Sequence, residues 1–118
     1  MESRYYDKLD ELLEMAGKLH GSAQAHRDFT LRSMQEHVEE VRMLIDGNDV
    51  HWKAETTDIL IHCLLLLRSA GVEAGEAEAL LGRRLGRFQE KITGALLEQQ
   101  RKSKLGESVY GKESPDSR

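Results

Sequence analysis

Acidic side chains stand close together at two places in this sequence, and both places have helical spacing. The first group consists of Glu36, Glu39 and Glu40, with His37 among them. The second group, Glu55 and Asp58, opens a segment that is almost entirely apolar from Ile59 onward. Buried carboxylates destabilise a fold unless they are paired or bind a metal. The two groups together predict a cation held between two helices.

Helical geometry places part of each group on one face. At about 100° per residue, Glu36, His37 and Glu40 share a face beside the apolar stripe of their helix, whereas Glu39 lies on the other side of that stripe. Four carboxylates from two helices would suit Mg²⁺ or Mn²⁺, which prefer oxygen ligands. Such an ion binds nucleotide phosphates and lowers the pKa of a bound water. Because the sequence has no glycine-rich phosphate loop, the metal and nearby Arg or Lys residues would neutralise the phosphates.

Apolar periodicity predicts four helices that position these residues. They cover about residues 5–19, 29–46, 50–70 and 74–100, with a polar connection at 20–28. Between the second and third helices, Gly47 is predicted to take the left-handed conformation, and Asn48 or Asp49 to accept an amide hydrogen bond at the next N-terminus. A turn this tight predicts an antiparallel hairpin whose carboxylates face each other.

The predicted fold is an all-α antiparallel four-helix bundle. Residues 1–102 are expected to form one domain, and residues 103–118 a flexible tail or an arm on a partner subunit. Each helix is expected to bury an apolar stripe. For the second helix this stripe is Met34, Val38, Val41 and Ile45, and for the fourth it is Leu81, Leu85, Phe88, Ile92 and Leu96.

Composition restricts the class of function. The 118 residues carry a net charge of −4, which gives no support for binding a nucleic acid polymer through overall charge. The longest apolar run, Ile59–Leu67, is too short to span a bilayer, so no membrane partner is expected. The single Cys63 cannot form an internal disulfide, and the charged N-terminus is unlike a secretory signal. A cytoplasmic location is therefore expected.

The segment from Phe29 to Phe88 resembles a known family. Its run QEHVEEVRMLIDGNDVHWKAETTDILIHCLLLL is similar to the MazG-like all-α nucleoside triphosphate pyrophosphohydrolases, whose motif is Glu-Glu-x-x-Glu followed by Glu-x-x-Asp. The first part matches at Glu36 and Glu40. The second part matches at Glu55 and Asp58. The run AETTDILIHCLLLLRSAGV is especially similar to phosphoribosyl-ATP pyrophosphohydrolase.

This resemblance implies an activity and a cofactor. It implies hydrolysis of a nucleotide between its α and β phosphates, by a homodimer or a dimer of dimers in which paired chains complete the bundle. The carboxylates of both motif parts would hold Mg²⁺ or Mn²⁺, and Glu36 or Glu40 would act as the base that activates water.

One position departs from the family motif. His37 stands where the family has its second Glu. Either His37 coordinates the metal in that place, which favours Mn²⁺ or a softer ion over Mg²⁺, or Glu36 or Glu39 takes over the ligand position, or the site is degraded. If the site is degraded, the chain would be a catalytically inactive helical module for protein association or nucleotide sensing.

Further residues are candidates for contact with the substrate. Trp52 could stack on a nucleobase, although packing is the simpler explanation for it. His62 is either a hydrogen-bonded core histidine or a residue that supports Asp58 and the substrate. The basic candidates for phosphate contact are Arg32, Lys53, Arg83 and Arg84; most basic side chains of this kind are ordinary surface charges.

Overall fold

The protein is built from helices. The computed structural model describes the backbone of residues 3–110 and the side chains of residues 4–105. In chain order the helices are α1 (Ser3–His20), α2 (Ala23–Asp46), α3 (Trp52–Ser69) and α4 (Ala74–Tyr110). The described range contains no strand, so the predicted all-α class is confirmed. None of the described helices is long and apolar enough to cross a membrane.

The chain divides into two units. Residues 1–78 hold α1, α2, α3 and the start of α4, and residues 79–118 hold the remainder of α4. The predicted end of the fourth helix at Gln100 is wrong, because α4 continues through Tyr110 and covers the first part of the predicted tail. Residues 111–118 lie outside the described range. The division into a domain of residues 1–102 and a tail stays a prediction.

The predicted connection at residues 20–28 is wrong, because α2 begins at Ala23. Two residues are enough to separate α1 from α2. Gly21 takes a left-handed conformation (φ +90°), which ends α1 at little steric cost. The Ser22 hydroxyl then accepts a hydrogen bond at 3.0 Å from the amide of Ala25, which is a side-chain cap that starts α2.

The turn between α2 and α3 uses a different residue from the one predicted. Asn48, with φ +57°, takes the left-handed conformation, whereas Gly47 has φ −90°. Asparagine tolerates this region better than most side chains do. The amide of Asp49 donates to the carbonyl of Leu44 at 2.8 Å, and its carboxylate accepts from the amide of His51 at 2.9 Å. The turn therefore closes α2 and leads directly into α3.

A small apolar core joins α1, α3 and the start of α4. Its buried members are Tyr6, Leu9, Leu65 and Ala77. The Tyr6 hydroxyl donates a hydrogen bond to the carbonyl of Val72, which ties the start of α1 to the segment after α3. At the edge of this core, Arg68 donates to Asp10 at 2.6 Å. Because Asp10 is about half exposed, the pair aligns the helices more than it stabilises them.

Two predicted apolar stripes are not core stripes in this chain. On α2, Val38 is 52% exposed and Ile45 is 47% exposed, while Met34 and Val41 are half-buried. The buried residues of α2 are polar instead, because the helix turns its histidine and hydroxyl face inward. On α4, the five predicted stripe residues are each at least half exposed. Within the described part of the second unit, α4 is the only element and has nothing to pack on.

The core makes a direct stability prediction. Replacing the buried Leu65 with Ala removes apolar contacts and leaves a cavity, which should lower the free energy of unfolding by about 2–4 kcal/mol. Urea denaturation followed by circular dichroism measures the change. The matched control is Leu19→Ala. Because Leu19 is 78% exposed, this substitution should lower the free energy of unfolding by only about 0.5 kcal/mol. Equal losses for the two variants would contradict this core.

Candidate metal centre

The inner face of α2 is polar along most of its length. The residues that form it follow one another at intervals of four, three, four and three, and are His26, Thr30, Ser33, His37 and Glu40. This is the spacing of a helix face that packs on a neighbour. His26, Thr30 and Ser33 are buried, with Thr30 only 1% exposed. The sequence predicted that His37 and Glu40 share a face, but the burial of His26, Thr30 and Ser33 was not predicted because only apolar residues were counted as a core stripe.

His37 joins the acidic residues of the two helices. Its Nδ1 atom lies 2.5 Å from Oε1 of Glu55 on α3 and 3.2 Å from Oε1 of Glu40 on α2. Ligand atoms of His37, Glu55 and Asp58 all lie within 4.8 Å of one another, and all three side chains are half-buried. The hairpin therefore brings three predicted metal ligands together in a single chain. Glu40 lies at their edge.

These short distances change the ionisation of the group. The hydrogen bond to Glu55 raises the pKa of His37, and the same bond lowers the pKa of Glu55. The pKa of Glu40 is raised, first because its carboxyl group shares a hydrogen bond with Glu55 and then because the two carboxylates repel. Glu55 is thus held ionised, and Glu40 keeps a proton more readily than an isolated Glu.

His62 lies against this cluster from α3. Its ring centre is 5.4 Å from that of His37, with the two planes tilted by 31°. Burial lowers the pKa of His62, and the neighbouring His37 lowers it further. Its Nδ1 atom is buried and has no hydrogen-bond partner among the described residues. His62 is one helical turn after Asp58, so the prediction that it supports this carboxylate stays open.

The chemistry of these donors fits a divalent ion. Two carboxylates and one imidazole nitrogen lie within the space of one coordination sphere. Mg²⁺ prefers oxygen ligands and keeps several waters, whereas Mn²⁺ accepts imidazole as well as carboxylate. A proton on His37 Nδ1 would have to leave before that atom could coordinate an ion. Glu55 and Asp58 could bind without such a change.

Other predicted site residues lie apart from this cluster. Glu36 is exposed and is not among the residues whose ligand atoms come together. Trp52 is half-buried in the first turn of α3, where its carbonyl accepts a hydrogen bond from the hydroxyl of Thr56. The four basic candidates are exposed; Arg32 and Lys53 belong to the first unit, and Arg83 and Arg84 to the second.

The chain is similar to two curated proteins. It is 40% identical over 50 residues to a protein of Bradyrhizobium diazoefficiens named phosphoribosyl-ATP pyrophosphatase 1. It is 42% identical over 50 residues to a protein of the same name from Rhodopseudomonas palustris. Each match covers 42% of this chain and 47% of the relative. The chain therefore spans about half the length of the curated relatives that it matches.

These matches confirm the resemblance of the segment to phosphoribosyl-ATP pyrophosphatase, a nucleotide pyrophosphohydrolase of MazG-like type. The confirmation extends over the aligned 50 residues. No protein-family profile matches the chain, and no solved structure matches it significantly.

The polar inner face predicts an acid sensitivity of the fold. Burial lowers the pKa of His26 below its usual value, and nearby His20 of α1 and His62 of α3 lower it further. The unfolded chain therefore binds a proton at His26 that the folded chain does not, so the stability that His26 contributes is present above pH of about 6.5 and is lost as the pH falls. His26→Gln should reduce this slope by up to about 1.4 kcal/mol per pH unit.

Urea denaturation at several pH values between about 7 and 5 measures the slope. The control is Gln24→Ala, because Gln24 is exposed near His26 on α2 and carries no titratable group. This control should keep the slope of the unaltered protein. If His26→Gln and Gln24→Ala have the same pH dependence, His26 is not the residue responsible.

Proposed function

We propose that this protein is a metal-dependent nucleotide pyrophosphohydrolase, which cleaves between the α and β phosphates to give a nucleoside monophosphate and pyrophosphate. The observation that carries the proposal is the meeting of His37 and Glu40 on α2 with Glu55 and Asp58 on α3. The similarity to two proteins named phosphoribosyl-ATP pyrophosphatase supports the same class of reaction.

Three residues would hold the ion in this proposal. They are His37, Glu55 and Asp58, whose ligand atoms are already close together. A bound Mg²⁺ or Mn²⁺ would neutralise phosphate charge and polarise the phosphoryl oxygens. The ion pair with His37 keeps Glu55 ionised, which suits a carboxylate ligand.

Glu40 is the better candidate for the general base. It borders the cluster, whereas Glu36 is exposed and lies outside it. The pKa of Glu40 is raised towards neutral pH, and a general base accepts a proton more effectively when its pKa is close to the working pH. In the reaction, the water oxygen forms a bond to phosphorus and the bridging P–O bond breaks. The proton of the water passes to Glu40, and pyrophosphate leaves.

The substrate belongs to the nucleotides that carry a phosphoanhydride next to the nucleoside. The names of the two relatives make phosphoribosyl-ATP one candidate, and the nucleoside triphosphates are the others. The proposal includes a homo-oligomer, either a dimer or a dimer of dimers, since the apolar face of α4 is uncovered within its own unit.

One observation favours a second candidate function. His37 stands at a candidate ligand position and contacts Glu55 at 2.5 Å, so each of these side chains has a protein partner. A helical module that has lost catalysis but still binds nucleotides or another protein would keep such a pair. Turnover and metal binding distinguish the two functions.

The proposal predicts release of pyrophosphate. Incubation with a panel of nucleoside triphosphates and phosphoribosyl-ATP should release pyrophosphate from at least one of them with Mg²⁺ or Mn²⁺, and none after chelation of the metal. A coupled pyrophosphate assay measures this. No turnover with either ion, combined with no thermal shift on adding metal, would support the inactive module instead.

Substitutions within the cluster test the assigned roles. Glu55→Gln and Asp58→Asn keep the size of each side chain but remove its charge, and each should lower kcat by at least about 100-fold because an ion ligand is lost. The matched control is Glu39→Gln, which removes one charge from α2 at an exposed residue outside the cluster. Full activity in Asp58→Asn would contradict the proposed ligand set, even if the protein proves to be a pyrophosphohydrolase.

A further inference from the structure

Three histidines from three different helices lie next to one another in the first unit. The ring of His20 in α1 stacks on that of His26 in α2, with the ring centres 5.3 Å apart and the planes inclined by 25°. Burial lowers the pKa of His26, and the charges that His20 and His62 can carry lower it further, so His62 of α3 lies near the same ring. We call His20, His26 and His62 the histidine group.

Two buried nitrogen atoms of the histidine group have no hydrogen-bond partner in the part of the chain that the structure describes. One is Nδ1 of His26, a residue that is only 8% exposed. The other is Nδ1 of His62. Buried polar atoms are nearly always paired, because an unpaired one destabilises the fold. A neutral imidazole nitrogen with no protein partner is available as a metal ligand.

The neighbours of His26 leave this nitrogen free. Thr30, one helical turn further along α2, is almost completely buried and donates its hydroxyl hydrogen bond to the carbonyl of His26 at 2.9 Å. The proton of that hydroxyl is therefore not available to the His26 ring. On the other side, the ring of His20 lies between His26 and Phe29, whose ring centre is 4.5 Å away. An aromatic ring and an imidazole thus border the buried nitrogen of His26.

The donor atoms of the histidine group select a class of metal ion. Imidazole nitrogen suits Zn²⁺, Ni²⁺ and Cu²⁺, whereas Mg²⁺ prefers oxygen. Because burial lowers its pKa, His26 is neutral at neutral pH, which is the form that binds a metal. The cluster of His37, Glu55 and Asp58 contains two carboxylates, so its preferred ion differs from that of the histidine group.

Binding at the histidine group requires a small rearrangement of side chains. Among the described residues, only His37, Glu55 and Asp58 have ligand atoms that all lie within 4.8 Å of one another. The rings of the histidine group must therefore turn about their side-chain bonds before they can share an ion. His20 is half-buried and ends α1, so its ring is less confined than that of His26.

We propose that His20, His26 and His62 form a second metal site, which binds one Zn²⁺ or a similar transition ion and fastens α1, α2 and α3 together. Water would complete the usual four ligands of zinc. The apolar core joins α1, α3 and the start of α4, whereas the buried residues of α2 are polar. An ion held by all three helices would add the stabilisation that apolar contacts do not give α2. This site does not depend on the proposed function.

Zinc binding to the full chain tests the site without an enzyme assay. A Glu55→Gln/Asp58→Asn variant is the background, because it removes two ligands of the other cluster. Calorimetric titration of this variant should show one Zn²⁺ bound per chain. Zn²⁺ at about 100 times its Kd should raise Tm by at least about 5 °C, because the ion binds the folded chain. Mg²⁺ at the same concentration should do neither.

Single substitutions identify the side chains that bind the ion. In the same background, His20→Gln, His26→Gln and His62→Gln should each lower the affinity for Zn²⁺ by at least about 100-fold, because each removes a ligand. The control is His51→Gln, since His51 is an exposed histidine that pairs with Asp49 outside the group. This control should keep the affinity of the background. Circular dichroism shows whether each variant is folded, and His20→Gln alters the half-buried member of the stacked pair.

The outcomes separate this site from the other cluster and from the proposed function. No Zn²⁺ binding by the background variant would overturn the site, and so would unchanged affinity in His20→Gln. Loss of binding in His62→Gln alone would also overturn it and would assign His62 to a pair with His37. An equal loss in His51→Gln would show binding to surface histidines only, against the proposal. Turnover of the unaltered protein decides the proposed function, whatever the result with zinc.

Discussion

The contact between His37 and Glu55 is the interaction on which the rest of this structure depends. It crosses from α2 to α3, is partly shielded from water, and lies where the two helices face each other. A half-buried carboxylate needs a partner, and the imidazole provides one. Because Glu40 and Asp58 lie beside the same pair, the contact that aligns the hairpin also gathers the candidate ligands. Fold and site therefore share one cause.

A polar inner face has a consequence for the outer face. When α2 directs His26, Thr30 and Ser33 towards the interior, its apolar residues are left at the side and outside. The hydrophobic effect that usually closes a helical bundle is then only partly satisfied within one chain. The exposed stripe of α4 poses the same problem.

Most of the helices and the composition of the cluster could be predicted from sequence, because both follow from local spacing. The hairpin needed only the periodicity of two helices and the turn at Gly47–Asp49. The details of the turn were less predictable. Asn48, not Gly47, has the left-handed backbone conformation, since more than one residue of a turn can take the conformation that changes the direction of the chain. The buried face of α2 was predicted wrongly, because packing against the neighbouring helices sets how α2 is rotated about its own axis. A stripe of polar residues at core spacing was readable, but His26 and Thr30 signal burial only once α3 is in place.

The position of His37 bears on the electrostatics of the proposed site. His37, Glu40, Glu55 and Asp58 lie together, and phosphates bound there would add further negative charge. His37 carries no negative charge at the position where the resembled family has a Glu, and its contact with Glu55 offsets part of the charge of that carboxylate. In the proposed function, a bound divalent ion would compensate for more of the negative charge.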